Sequence, residues 1–150
     1  MKSTIASTGR GTGAEKILLA MLRVAGVILL SAVIPAFMPF PWMQHIHRLL
    51  GMGELPDGPI IGYLTRSLSA IYALHGALIF FLSLDLRRYL PAIKFFLVLG
   101  IIFGLGMFVL DVAVGMPRPW TISEGPFIVI CGGMMLWLAG RVHDSSETAA

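Results

Sequence analysis

The chain has 150 residues, of which 57% are hydrophobic and only 13% charged, with a net charge of +3 and a mean hydropathy of +0.85. Soluble domains carry about 25% charged residues, and one domain this short of charge would have to show an apolar exterior to water. That excludes an ordinary soluble globule, and the basic balance does not point to nucleic acid either: Lys and Arg gather at the ends of apolar runs, with no stripe interleaved with exposed aromatics.

In chain order, residues 1–12 read as a flexible tail. The first apolar run, Ile17 to Phe37, follows Thr12 and Glu15 at capping-box spacing, which predicts a helix from near Gly13 to the Pro35 region and a span over about 15–36. It is longer than a signal-peptide apolar core and lacks a clean small-residue cleavage site, so it is expected to be retained. Pro39-Phe40-Pro41 then breaks the chain. Trp42, Met43, Ile46, Leu49 and Leu50 recur at helical spacing beside Gln44, His45, His47 and Arg48, the pattern of a short amphipathic helix lying in a membrane interface.

The second span is expected over about 60–84, with Asp57 as its cap and Pro59 in its first turn. The third, about 92–114, ends on Gly115 and Pro117, a stop signal. The fourth, about 124–141, has Ser123 as cap and Glu124 and Pro126 in its first turn, and residues 144–150 read as a second flexible tail. Each run has about 20 residues or more, about 30 Å of helix, enough to cross a hydrocarbon core. The expected fold is therefore all-α: one polytopic domain, a four-transmembrane-helix bundle with a short interfacial helix in its first loop.

Orientation follows from Lys and Arg outside the spans. Lys2, Arg10, Lys16, Arg87, Arg88, Lys94 and Arg141 fall on one side, and only Arg48 and Arg118 on the other. The first side is expected to be cytoplasmic, with both termini there. Trp42, Tyr63, Tyr89 and Trp120 fall near the span ends, where amphipathic rings are favoured.

Polar residues inside apolar runs are costly and are the natural places to look for function. Arg23 is close enough to the cytoplasmic end to snorkel. Arg66 and Asp111 lie at matching arc length from the turn near Tyr89, so in an antiparallel hairpin they share a depth. Arg66 shares a face with Ser69, Ala70, Ala73 and Ala77, and Asp111 with Gly100, Gly104 and Gly115, so close approach in lipid is possible. Asp111 also sits in a last helical turn, where the dipole calls for a cation. An Arg66–Asp111 pair is expected, either as a structural lock or as an ion or proton gate. The alternatives are Arg66 snorkelling outward and Arg118 serving Asp111.

His75, near the middle of the second span, reads as an interior histidine hydrogen-bonded to a neighbouring helix. A haem would need a second axial ligand at its depth, and His143 lies too far toward the inner end. His45 and His47, near Glu54 and Asp57, would share a metal on a strand, but on a helix they diverge by about 200°. Glu124 reads as a first-turn acid, and Asp85 as a partner for Arg88. Cys131 is the only cysteine, so no intrachain disulfide forms. Motifs for nucleotide binding, hydrolase, zinc-protease or dithiol chemistry are missing, and no catalytic residue, metal or cofactor is assigned.

The stretch Gly53-Glu54-Leu55-Pro56, Tyr63-Leu64-Thr65-Arg66-Ser67, Tyr72-Ala73-Leu74-His75-Gly76 and Asp85-Leu86-Arg87-Arg88-Tyr89, with Asp111 and Glu124-Gly125-Pro126, resembles uncharacterised small bacterial four-helix integral membrane proteins. The resemblance implies the architecture and a bacterial cytoplasmic membrane, and transfers no catalytic residue. The leading expectation is a non-enzymatic accessory or scaffold subunit with the lipid bilayer, other membrane subunits or further copies of itself as partners. A small transporter or proton- or ion-conducting protein using Arg66, Asp111 and His75 is the alternative. An outer-face metal site or enzyme using His45, His47, Glu54 and Glu124 is the third reading.

Overall fold

A computed structural model describes residues 12–142. Every regular element among them is helical: α1 (Gly13–Leu30), α2 (Val33–Phe37), α3 (Phe40–Leu49), α4 (Pro59–Leu82), a 3₁₀ turn (Ser83–Asp85), α5 (Leu90–Val114), α6 (Arg118–Ser123) and α7 (Gly125–Ala139). Four stretches are long and apolar enough to cross a membrane: Gly13–Phe37, Pro59–Asp85, Leu90–Val114 and Arg118–Ala139. The two tails expected to be flexible fall, apart from Thr12, outside the described residues, as does His143.

Local chemistry explains most of the boundaries. Thr12 caps α1 by accepting the Glu15 backbone N–H. Pro35 has no N–H to offer the carbonyl of Ser31, and α1 breaks at Ser31–Ala32 before α2 resumes. Gly115, at φ 73°, ends α5 in the left-handed conformation and returns its N–H to Val112. The amphipathic pattern after Pro39 forms α3, which tucks Met43 inward and leaves Trp42 and Leu49 exposed.

Two expected boundaries are corrected. Gly58, not Asp57, is the N-cap of α4, and no side chain caps that helix. The fourth span starts earlier than position 124: α6 begins at Arg118 and includes Ser123, and the chain bends at Glu124 before α7. Pro126 is the cause, because it cannot donate to the carbonyl of Ile122 and its ring crowds that turn.

The packing is two close pairs joined at one end. α1 lies against α4, and α5 against α7; α1 also meets α7, whereas α4 and α5 touch only sparsely. Each close pair crosses at glycines. A Cβ on Gly76 would come within 2.7 Å of the Gly26 carbonyl, and one on Gly125 within 2.6 Å of the Gly104 carbonyl. Backbones can approach this closely only where side chains are absent, and such contact supplies the dispersion that holds apolar helices together in lipid.

The buried core sits at the end carrying the α4–α5 turn. Leu18 and Leu22 of α1, Leu82 of α4, Leu90 and Ile93 of α5 and Leu138 of α7 form one cluster there. Arg87, in the turn, grips the Glu15 carboxylate with Nε and Nη2, each at 3.0 Å. That bidentate contact ties the start of α1 to the turn and holds the Arg87 pKa above its ordinary value. Arg141 closes the same end over the Trp137 ring at 3.5 Å. Asp85 accepts the backbone N–H of Arg88, while the Arg88 guanidinium lies over Tyr89, so the expected Asp85–Arg88 ion pair is replaced by a turn and a cation–π contact.

Candidate functional site

The residues singled out as an intramembrane set do not converge. Arg66 is exposed on α4 and donates from Nη2 to the carbonyl of Met38 at 3.3 Å. It lines an open groove of ≈ 790 Å³ between α2, α3 and the start of α4, beside Phe37, Phe40 and Tyr63. Asp111 is on the opposite pair and forms no salt bridge with Arg66 or Arg118. The expected Arg66–Asp111 lock is thus absent, for a topological reason. Equal depth matters only if α4 and α5 are packed neighbours, and α4 spends its small-residue face, including Ala73 and Gly76, on the α1 side of the molecule.

His75 is also corrected. It is exposed on α4 rather than interior, and its ring meets Phe96 of α5 edge-on, with centroids 6.1 Å apart. Among the described residues, no hydrogen bond to a neighbouring helix holds it. In the first loop, α3 sends His45 and His47 apart: His47 Nδ1 hydrogen-bonds the Gly53 carbonyl at 3.0 Å, and Glu54 lies 3.7 Å from Arg48. Among the described residues no three His, Cys, Asp or Glu side chains gather as a metal site.

Away from the core, at the far end, a different polar group forms. Gly104, Phe108 and Asp111 lie on one face of α5 at helical spacing. The first two meet Gly125, where an added Cβ would lie 2.6 Å from the Gly104 carbonyl and 2.8 Å from Phe108 Cβ. One turn further along that face, Asp111 is 3% exposed and its Oδ2 is enclosed without a hydrogen-bond partner. Glu124, at the bend immediately before Gly125, accepts a hydrogen bond from Trp120 Nε1. It lies within electrostatic reach of Asp111 and of Tyr72 on α4.

This junction sets the Asp111 carboxyl of α5 beside the bend that carries Glu124 and its indole donor, Trp120 of α6. From the sequence, Asp111 stands out, whereas Glu124 reads as a first-turn acid or as part of an outer-face set with His45, His47 and Glu54, and Trp120 as an interface anchor. Trp120 and Glu124 are four residues apart, the spacing of neighbours on one helical face, and that signal was hidden by starting the helix at 124.

Comparison with family models, curated proteins and solved structures gives a plain result. Nothing matches this chain.

Proposed function

We propose that the chain is a four-span integral protein of the bacterial cytoplasmic membrane, with both termini cytoplasmic, and acts as a non-enzymatic accessory or scaffold subunit packing against other membrane helices. The observation that carries this reading is the unequal use of the helices. Both glycine crossings are spent inside the α1–α4 and α5–α7 pairs, while α4 and α5 barely touch. The outward side of α4 still presents Leu64, Leu68, Ile71 and Leu74, and that of α5 presents Phe95, Ile102 and Val109. In water such surface would aggregate; in lipid it is solvated by acyl chains or covered by further helices.

The separation of Arg66, His75 and Asp111 removes the continuous polar route that a transporter built on those three would need, and so favours the packing role. The test is size and content after gentle extraction. Tagged protein solubilised in mild detergent is expected to run as a complex, with a stoichiometric second subunit or as a defined homo-oligomer. A lone monomer with nothing co-purifying overturns the subunit reading.

A further inference from the structure

Three facts at the α5–bend junction point the same way. Asp111 is buried with Oδ2 unpartnered, and a carboxylate taken out of water without a counter-charge is strongly disfavoured. It occupies the last turn of α5, where the helix dipole presents negative charge. A second carboxylate, Glu124, stands at the bend next to Gly125, which packs on Gly104 and Phe108, one turn from Asp111 on the same face of α5. Among the described residues, no Lys, Arg or His comes within ion-pair distance of either acid. The α5 dipole and the two carboxylates therefore favour a positive charge beside Asp111, and no side chain among the described residues supplies it.

Trp120 adds direction. Its indole N–H donates to Glu124 Oε2, which fixes that carboxylate at the bend. We propose that Asp111 and Glu124 bind a hard, oxygen-seeking metal cation at the far end of the α5–α7 pair. The two carboxylates provide charge and two anchor oxygens; hard cations of this class accept water and backbone carbonyls for the rest of the shell. Soft metals are disfavoured, since Cys131 lies mid-way along α7, away from the bend, and both proposed ligands are carboxylates. The site is independent of whether the chain has a protein partner.

The experiment uses the full chain in mild detergent. Thermal unfolding is followed in sodium, magnesium, calcium and choline chlorides at matched ionic strength. At least one metal salt is expected to raise the melting temperature by about 5 °C over choline at a hundredfold excess over Kd, and the salt that acts identifies the ion. Asp111→Asn and Glu124→Gln are each expected to abolish that rise. Should either variant fail to fold, Trp42→Phe/Trp137→Phe leaves Trp120 as the sole indole. Its emission is then expected to change with the active cation and not with choline. Equal melting temperatures in all four salts, a rise that survives both carboxylate substitutions, or Trp120 emission blind to the cations each overturn the proposal.

Discussion

Glycines in this chain divide by what stands opposite them. Gly76 faces the α1 backbone, with the Gly26 carbonyl 2.7 Å from where a Cβ would lie, whereas a Cβ at Gly106 would meet nothing within 4 Å. Neither has a positive φ. Gly76→Ala is therefore expected to destabilise by about 1–3 kcal/mol, because backbone cannot yield as a flexible side chain does. Gly106→Ala is expected to stabilise by about 0.5–1 kcal/mol through helix propensity alone. Unfolding in detergent–denaturant mixtures compares the two, and equal effects would refute the close crossing. Composition shows where the glycines are but not which of them face backbone. Gly100 and Gly104 sit on one predicted face, yet only Gly104 has atoms within reach of an added Cβ. The difference lies in the crossing point, which is a property of two helices and is invisible in either one.

At the scale of elements, what was legible is what local chemistry decides. The apolar runs, the Thr12 cap, the Gly115 stop and the amphipathic α3 follow from side chains acting on their own neighbourhood. The neighbour order of the helices was not legible, and the Arg66–Asp111 pairing failed with it. A short turn makes α4 and α5 consecutive, but the glycine pairs draw each of them to a different partner. The junction of Asp111, Glu124 and Trp120 went unread for a related reason: Pro126 does stand in the first turn of a helix, α7, but a further helix, α6, precedes the bend and carries Trp120. The bend yields its own prediction. Pro126→Ala restores a donor opposite the Ile122 carbonyl and is expected to let α6 run into α7. Amide hydrogen exchange across residues 120–128 should then slow several-fold relative to the parent chain, whereas unchanged exchange would show that something other than the proline sets the bend.

For the whole molecule, the placement of charge and of apolar surface agree on one arrangement. The buried cluster and the Glu15–Arg87 clamp occupy the end where Lys16, Arg88, Lys94 and Arg141 also lie, so the basic end is the tightly closed one. The opposite end is looser, carrying α3, the groove beside Arg66 and the Asp111–Glu124 junction. If the basic flanks are retained in the cytoplasm, the looser end faces outward. Cysteine chemistry checks this directly, because Cys131 is the one native thiol and lies within an apolar helix, where a membrane-impermeant maleimide has poor access. Glu54→Cys places an exposed thiol at the looser end, and Arg88→Cys places one at the clamp end. In intact cells the thiol at position 54 is expected to react and the one at position 88 to stay silent until the membrane is opened. The reverse pattern would invert the protein and put the carboxylate junction on the cytoplasmic side. Labelling of both positions in intact cells would mean that the basic flanks do not hold the chain in one orientation.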